Sequence, residues 1–277
     1  MNDLSRNCTI EELAILWESI AKRQIMKDGA REKIKNLNLS SAKNYIKNDV
    51  IIEDGIKRAS EIKVEKEDTI LEIGAGPGII SFELAKRAKS LTAIEPAKAF
   101  VTMFMERAKT LGVSNVSVIT EFWEDYKGSE RYDIVVSSFS LITRDIVNFL
   151  EKMNYVAKKK CYIHWFYRNC AIEMQNKDVS KIVGREYFEL IPKLDIVYNI
   201  LSQWNFKPTL KMLPFSHFDR IYDSIEKALE SLKNLFCIEN NTYDEKLRSY
   251  IREKYICKNG KYIYPDSTEF ASLSWEK

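Results

Sequence analysis

The sequence has few of the residues that build metal and disulfide sites. It contains two histidines and five cysteines, and the cysteines form no CxxC pair. Structural zinc sites and disulfide frameworks both require regular spacing of their ligands, so we expect neither. The sequence therefore predicts free thiols in a reducing compartment and no metal site.

Neither sign of charge dominates, and long apolar runs are absent. The 43 basic and 40 acidic side chains leave a formal charge of +3, which disfavours nucleic acid as a partner because nucleic-acid-binding proteins concentrate basic residues on one face. No stretch of about eighteen apolar residues occurs, and the acidic N-terminal segment does not resemble a signal peptide. We predict a cytoplasmic protein without a membrane span, and we interpret the lysine run 158–160 as the exposed end of a helix.

What the sequence does contain is a regular alternation of short apolar strands and amphipathic helices. The predicted strands span 69–74, 90–96, 116–120, 132–139 and 161–167, and the predicted helices between them span 78–88, 97–112 and 144–157. This alternation is typical of a parallel sheet that is covered by helices on both faces. We therefore predict an α/β fold with a doubly wound, seven-stranded, mostly parallel sheet whose last strand, about 269–275, is antiparallel.

Helical patterns also occur outside this alternation. Three helices are predicted over 9–62, before the first strand, and two amphipathic helices over 224–257, before the last strand. The predicted organisation is an N-terminal helical extension (1–66), a cofactor-binding core (67–168) and a C-terminal part (169–277) that completes the sheet and carries the helical insertion 224–257.

The segment "LEIGAGPG" (71–78) predicts a ligand-binding loop at the end of the first strand. Glycines at alternate positions allow the backbone to approach a ligand closely. A dinucleotide fingerprint would place its third glycine at position 79, which is Ile79, and Glu72 would repel a phosphate. Glu95 ends the next strand, nineteen positions after Gly76, where an acid can accept hydrogen bonds from both ribose hydroxyls. The pattern favours a nucleoside ligand without a pyrophosphate that rests on the helix.

These residues resemble the class I S-adenosylmethionine-dependent methyltransferases, in particular the small-molecule branch of ubiquinone and menaquinone biosynthesis. "LEIGAGPG" is similar to their first motif, "AIEP" to their second, and "YDIVVSSFSLI" to their strand-four region. The resemblance covers residues 69–167. It implies a Rossmann-like methyltransferase fold and S-adenosylmethionine as the cofactor.

The resemblance also implies roles for individual residues. Glu72 would face the cationic end of the methionine moiety, and Glu95 would hold the ribose. Phe122 and Trp123 would flank the adenine, whose amino group would donate to Glu124, and Ser138 and Phe139 would lie beside the sulfonium. The remaining cofactor contacts implied by the motifs are Gly74, Ala75, Gly76, Gly78 and Pro96.

The methyl acceptor is less clearly indicated. The end of strand four reads "SSFS" (137–140), without the Asn/Asp-Pro-Pro-Tyr motif of adenine-N6 and cytosine-N4 methyltransferases, and the chain has no Pro-Cys for cysteine-based nucleic acid methylation. RNA remains open as an acceptor through oxygen. Aromatic residues around strand five predict a largely apolar pocket for a small-molecule acceptor.

A general base is not required by the predicted reaction. Methyl transfer from a sulfonium depends on alignment of the acceptor more than on a catalytic group, so His164 and Tyr45 are only candidates for a general base. A hydrogen-bonded structural histidine is the alternative for His164, and His217 is a less well placed histidine of the same kind.

Two other functions fit the same loop. One is a NAD-type oxidoreductase, which Ile79 and Glu72 disfavour, and the other is a non-catalytic sensor of S-adenosylmethionine.

We expect the segments 9–62 and 224–257 to form a lid over the loops 74–78 and 138–142. The alternative is that one of them forms a homodimer interface.

Overall fold

The structure is a computed structural model that describes residues 8–23, 26, 28–45, 49–213 and 219–277. The chain forms two compact units. The first unit comprises Met1–Tyr167, Ile191–Phe215 and Phe270–Lys277, and the second comprises Arg168–Leu190 and Ser216–Glu269. In the described part of the chain, no helix is long and apolar enough to cross a membrane.

The strands of the described residues belong to two sheets. In chain order they are β1 (Thr69–Ile73), β2 (Ser90–Ile94), β3 (Val116–Ile119), β4 (Tyr132–Ser138), β5 (Ala157–Phe166), β6 (Thr209–Met212), β7 (Arg220–Tyr222), β8 (Ile256–Lys258), β9 (Lys261–Tyr264) and β10 (Phe270–Glu276). The helices are α1 (Ile10–Arg23), α2 (Ala30–Lys35), α3 (Leu39–Tyr45), α4 (Asp49–Ser60), α5 (Ser81–Ala85), α6 (Lys98–Leu111), α7 (Ile146–Val156), α8 (Ala171–Val183), α9 (Leu194–Gln203), α10 (Ile225–Leu235) and α11 (Asp244–Lys254).

The first unit is built on a seven-stranded sheet with the order β3-β2-β1-β4-β5-β10-β6. The first five of these strands are parallel to one another, whereas β10 is antiparallel to both of its neighbours, β5 and β6. Strands β1 and β4 are buried along almost their whole length, as expected for a sheet covered on both faces. The predicted fold class, including the antiparallel last strand, is confirmed.

The N-terminal helices pack on this sheet unit. Thr9 and Glu12 form a capping box at the start of α1, in which Glu12 N donates to Thr9 Oγ1 at 3.2 Å and Thr9 N to Glu12 Oε2 at 2.7 Å. Helix α1 packs against α7 and α9, and the buried Trp17 donates through Nε1 to the carbonyl oxygen of Thr143 at 2.9 Å. The residues of the predicted N-terminal extension are therefore part of the compact first unit.

The second unit contains α8, α10 and α11 together with the antiparallel sheet β7-β9-β8. The helices predicted over 224–257 are present as α10 and α11. The inserted unit also includes β7 and β8, strands of three residues that the sequence pattern did not reveal. Its third strand, β9 ("KYIY"), lies in a different sheet from the last strand, β10.

Two further expectations differ from the structure. The lysine run 158–160 lies in β5 and not at a helix end, because β5 begins at Ala157 and Lys158 and Lys159 are exposed there. The three helices predicted over 9–62 are four among the described residues, because Asn36 ends α2 as its C-cap and α3 begins separately at Leu39.

Candidate functional site

A cavity of about 360 Å³ lies at the carboxyl ends of β1, β2 and β4 in the first unit. Eleven of the twelve predicted cofactor residues line it, namely Glu72, Gly74, Ala75, Gly76, Glu95, Pro96, Phe122, Trp123, Glu124, Ser138 and Phe139. In open α/β sheets, ligands bind in this position. The structure thus brings together residues that lie up to 67 positions apart in the sequence.

The glycine loop forms one wall of the cavity. Gly74 has a φ of 69°, and its backbone N–H donates to the carbonyl oxygen of Ile94 at 2.8 Å. A Cβ atom at Gly74 would lie 2.3 Å from the Cβ atom of Ser140, so no larger residue fits between the ends of β1 and β4. Gly78 is the predicted residue that is not part of the cavity wall. Its φ is 79°, and a Cβ atom there would lie 2.5 Å from the ring of Phe82.

Glu95 is fixed beside this loop by two backbone donors. Its Oε2 accepts from the N–H of Gly76 and its Oε1 from the N–H of Ala97, both at 2.8 Å. Burial raises the pKa of Glu95 to about 6, although these two hydrogen bonds favour the ionised form. The carboxylate is therefore held rigidly at the end of β2, on the cavity wall.

Glu72 is the more unusual carboxylate. It lies in β1, 2% exposed, and its Oε2 has no hydrogen-bond partner among the described residues. Burial raises the pKa of Glu72 to about 7, whereas the Ser81 hydroxyl and the positive charge of Arg58 oppose this rise. A buried carboxylate oxygen without a partner is energetically unfavourable, and a cationic group in the cavity would relieve this. The site therefore fits a ligand with an ammonium group.

The segment after β3 contributes the aromatic wall. Phe122 and Trp123 are both buried, and Trp123 stacks on Tyr126 with ring centroids 5.7 Å apart. The Lys152 ammonium lies 4.5 Å from the Trp123 ring centroid, and the Arg31 guanidinium lies 4.1 Å from that of Phe122. Both rings thus have protein partners that fix their orientation at the cavity wall.

Strand β4 ends in a polar and aromatic corner. Ser138 Oγ accepts from Arg58 Nη1 at 2.7 Å and lies 3.2 Å from His164 Nδ1. Phe139 has a φ of 56°, in the left-handed region that residues other than glycine seldom adopt. Its ring meets that of Phe270 edge-on at a centroid distance of 4.9 Å. The backbone turn therefore directs an aromatic side chain toward this corner of the cavity.

The candidates for a general base have different positions. His164 is fully buried in β5 and does not line the cavity; its Nδ1 lies 3.2 Å from Ser138 Oγ, and its carbonyl oxygen accepts from the N–H of Phe139 at 2.9 Å. Burial, together with the charge of Arg58, lowers the pKa of His164 to about 3, so the ring is neutral at physiological pH. Tyr45 is the last residue of α3. His217 lies outside the described residues. Burial also raises the pKa of the Cys161 thiol above its usual range, which agrees with an inert core cysteine.

Arg58 is the cavity residue that sequence reasoning missed. It lies in α4, seven percent exposed, one helical turn after the buried Asp54. A charged residue on the buried face of an amphipathic helix was the available signal, but its partner Ser138 is 80 positions away. The other lining residues that were not predicted are Ile34, Ile73, Pro77, Ile79, Ile80, Ile94, Phe100, Ser140, Ile142 and Phe149.

Comparison with known proteins gives one family match. Residues 34–126 match the family described as ribosomal RNA adenine dimethylase. Ribosomal RNA small subunit methyltransferase A of Clostridium botulinum is 33% identical over 117 residues, which are 41% of this chain and 42% of that protein. The chain spans under half the length of the curated relatives it matches. These matches do not support our expectation that nucleic acid is a disfavoured partner.

Solved structures with the same fold cover more of the chain. A coclaurine N-methyltransferase, bound to N-methylheliamine and S-adenosylhomocysteine, covers the full chain and 89% of its own length at a TM-score of 0.52 and 14% identity. A methyltransferase from Thiobacillus denitrificans, in complex with S-adenosylhomocysteine, covers 86% of this chain and 96% of its own at the same TM-score and identity. At this identity the likeness establishes a shared fold.

Proposed function

Because the chain belongs to the class I S-adenosylmethionine-dependent methyltransferase superfamily, we propose that it binds S-adenosylmethionine in the cavity at the ends of β1, β2 and β4 and transfers the methyl group to a small, partly apolar acceptor. The observation that carries this proposal is the pair of buried carboxylates, Glu72 and Glu95, on one cavity wall. They offer acceptors to the ammonium group and to the ribose hydroxyls of one nucleoside ligand.

Each predicted contact has a place in this proposal. Glu95 accepts from the ribose hydroxyls, and the unpartnered Oε2 of Glu72 accepts from the ammonium group. Phe122, Trp123 and Glu124 surround the adenine, whereas Ser138 and Phe139 lie near the methyl group. Backbone atoms at Gly74, Ala75, Gly76 and Pro96 allow close approach. Gly78 acts differently: it lets α5 pack close to the loop and does not contact the ligand.

The bound cofactor supplies a methyl group that is already activated by the sulfonium. The chain's own residues then need to align the acceptor with it and exclude water, and alignment alone can lower a barrier by about 7–11 kcal/mol. We assign no proton transfer to His164, because its ring is buried, neutral and outside the cavity wall. The role of Tyr45 as a base stays a prediction.

We favour a small acceptor because of the composition of the β4 end. Ser137, Ser138, Phe139 and Ser140 offer no amide clamp for an adenine, and Phe139 lies among the rings of Trp165, Phe166 and Phe270. The family match ends at residue 126, before β4 begins at Tyr132. The family match thus covers the cofactor half of the site and not the strand that would present the acceptor.

RNA is the second candidate acceptor, and the family match over 34–126 is the observation that favours it. Incubation of the protein with methyl-labelled S-adenosylmethionine and a cell extract distinguishes the small-molecule acceptor from RNA by the size of the labelled product. We expect label in a low-molecular-weight product that survives ribonuclease treatment. Label in ribosomal RNA that ribonuclease releases as nucleotides would establish the second candidate instead.

We propose that the N-terminal helices form part of a lid over the cavity. Ile34 and Arg58 line the cavity, and Arg31 both covers Phe122 and pairs with Asp125. Arg31→Ala is expected to speed release of S-adenosylhomocysteine, because one face of the Phe122 ring is then uncovered. Deletion of residues 1–40 is not a suitable test, since it would expose the surface that Trp17 covers. A lid role for 224–257, in the second unit, stays a prediction.

Isothermal titration with S-adenosylhomocysteine and with NADH tests the cofactor. We expect binding of the first and none of the second, because Glu72 would repel a pyrophosphate. Tight binding of NADH alone would establish the oxidoreductase alternative. Binding of S-adenosylhomocysteine without transfer to any extract component would favour the sensor alternative.

A further inference from the structure

The hydroxyl group of Ser138 lies on the cavity wall between an arginine and a histidine. Its Oγ accepts a hydrogen bond from Arg58 Nη1 at 2.7 Å and lies 3.2 Å from Nδ1 of His164. A guanidinium can only donate, whereas a neutral imidazole nitrogen either donates or accepts. The direction of the second hydrogen bond therefore decides what Ser138 offers to a ligand in the cavity.

Two observations place the hydroxyl hydrogen of Ser138 toward His164. A hydroxyl that accepts from a cationic donor becomes a stronger donor itself, because hydrogen bonds in a chain polarise one another. In the opposite arrangement, with the hydrogen on Nδ1 of His164, the hydroxyl hydrogen would have no acceptor among the described residues. Ser138 therefore donates to Nδ1, and one lone pair of its Oγ is left for a ligand.

His164 is an unusual choice for its position in the core. Its side chain is fully buried in β5, and its Nε2 has no hydrogen-bond partner in the described part of the chain. A buried polar atom without a partner is unfavourable, so an apolar side chain would suit the packing better. What the histidine supplies instead is the contact between Nδ1 and Ser138.

This arrangement bears on the chemical class of the methyl acceptor, and the inference rests on the proposed function. We infer that the acceptor is a neutral primary or secondary amine whose N–H donates to Oγ of Ser138, and that His164 is the positioning residue that directs the Ser138 hydrogen away from this amine. The hydrogen bond orients the nitrogen and leaves its lone pair for the methyl group. A tertiary amine or a thioether has no hydrogen to donate and would not be held in this way.

An amine also suits the reaction because no proton has to leave during transfer. The nitrogen lone pair forms the new C–N bond, the C–S electron pair stays on sulfur, and the positive charge passes from sulfur to nitrogen. The neighbouring sulfonium favours the neutral, nucleophilic form of the amine before transfer. The ammonium product loses a proton to water only after its release.

A hydroxyl acceptor is the alternative, because it too can donate to Ser138. Its oxygen would have to lose a proton to a base as the bond to the methyl group forms. The described lining residues that could take this proton are Glu72, Glu95 and Glu124, and the proposed function assigns all three to the cofactor. Burial lowers the pKa of His164 to about 3, so its ring does not accept the proton through Ser138. The site therefore favours the amine.

The first experiment identifies the atom that receives the methyl group. The protein is incubated with methyl-labelled S-adenosylmethionine and a cell extract, and the labelled product is separated by cation exchange and examined by carbon NMR. We expect the label on nitrogen in a small basic product. Label on oxygen, sulfur or carbon of a small product would overturn the inference and leave the proposed function in place. Label in RNA alone, or no label at all, would contradict the proposed function itself.

The second experiment observes the hydrogen of the His164 ring. Nitrogen NMR of protein with nitrogen-labelled histidine distinguishes the two neutral tautomers. The chain contains two histidines, so the variant His217→Gln identifies the signals of His164. We expect the hydrogen on Nε2 at neutral pH. A hydrogen on Nδ1 would overturn the inference, because Ser138 would then present a donor to the cavity.

Variants of His164 distinguish positioning from packing. His164→Phe keeps a ring in the core but removes Nδ1, whereas His164→Asn keeps a hydrogen-bonding atom near the place of Nδ1. We expect His164→Phe to slow methyl transfer about two- to tenfold, the range of one neutral hydrogen bond, without a change in affinity for S-adenosylhomocysteine. His164→Asn should recover most of the rate. Equal losses of rate in the two variants would indicate packing alone and overturn the role of His164.

Two serine variants complete the comparison. Ser138→Ala removes the accepting oxygen and should slow transfer at least as much as His164→Phe. The matched control is Ser137→Ala, because the Ser137 hydroxyl bonds to that of Ser140 at 2.9 Å and does not line the cavity. The control should transfer methyl groups at the wild-type rate, and an unchanged rate in Ser138→Ala would overturn the inference. Near-ultraviolet circular dichroism checks that each variant is folded, and if His164→Phe is not, Ser138→Ala and the tautomer decide.

Discussion

Glu72→Gln is expected to make the ligand-free protein more stable and to weaken its binding of the cofactor. The substitution keeps the size of the side chain but removes a charge that is buried without full compensation. Functional sites often keep such unfavourable groups for binding. The stability gain and the loss of affinity should therefore appear together in one variant.

The magnitude follows from the two protonation equilibria. The pKa of Glu72 rises from 4.5 to about 7 in the folded protein because of burial. The folded state thus binds more protons than the unfolded chain between these values, and the free energy of unfolding falls as the pH rises through them. At pH 8 the carboxylate destabilises the folded state by about 3 kcal/mol, on the scale of about 1.4 kcal/mol for each pKa unit. Below pH 4.5 the effect vanishes.

Urea unfolding at pH 5 and pH 8 measures this difference. We expect Glu72→Gln to exceed the wild-type protein by up to about 3 kcal/mol at pH 8 and by much less at pH 5. In the wild-type protein, S-adenosylhomocysteine should bind more tightly as the pH rises toward 7, because the ionised carboxylate receives the ammonium group, and the variant should lose this pH dependence. A variant that is less stable than wild type at pH 8 would refute the reasoning.

Two further predictions concern packing. Gly78→Ala should lower the free energy of unfolding by about 1–3 kcal/mol, because the added Cβ would lie 2.5 Å from the Phe82 ring. The loss should exceed that of the control Gly76→Ala, where the added Cβ has no atom within 4 Å. Equal losses of the two variants in urea unfolding would contradict this. Trp17→Phe should lower the free energy of unfolding by about 1–3 kcal/mol, because the buried carbonyl oxygen of Thr143 loses its hydrogen-bond donor. Amide hydrogen exchange in α1 should become faster. Unchanged exchange would show that the bond does not hold the helix.

The sheet could be predicted from the sequence because its signals are local. Each strand of the parallel part contains a short apolar run, and each except β3 is followed by a helix, so residues within about ten positions specify the element. The antiparallel strand Phe270–Glu276 was predicted from the same local pattern and is confirmed. The resemblance to class I methyltransferases rested on the loop after β1 and the end of β2, and the superfamily is confirmed.

The parts that sequence reasoning missed depend on contacts between distant segments. Arg58 meets Ser138 across 80 positions, and no local pattern records that pairing. Two strands of the small sheet, β7 and β8, have three residues each and are largely exposed, so neither length nor alternation identified them. Lys158 and Lys159 extend β5 beyond its apolar part as exposed strand residues. They lie at the irregularity between β4 and β5, after Ala157, which pairs with Tyr132, and before Lys160, which pairs with Ile134.

The position of β10 has a consequence for how the chain folds during synthesis. Strand β6 pairs with β10, and residues 213–269 must be made before that partner exists. Until then β6 is a strand without a neighbour and β5 has an open edge, both of which attract other chains. The second unit begins with Arg168–Leu190, but most of it, Ser216–Glu269, is synthesised during this interval, so the unit can complete its own fold only then. Mutations that slow its folding would therefore prolong the exposure of the unfinished sheet and increase aggregation on the ribosome without altering the native site.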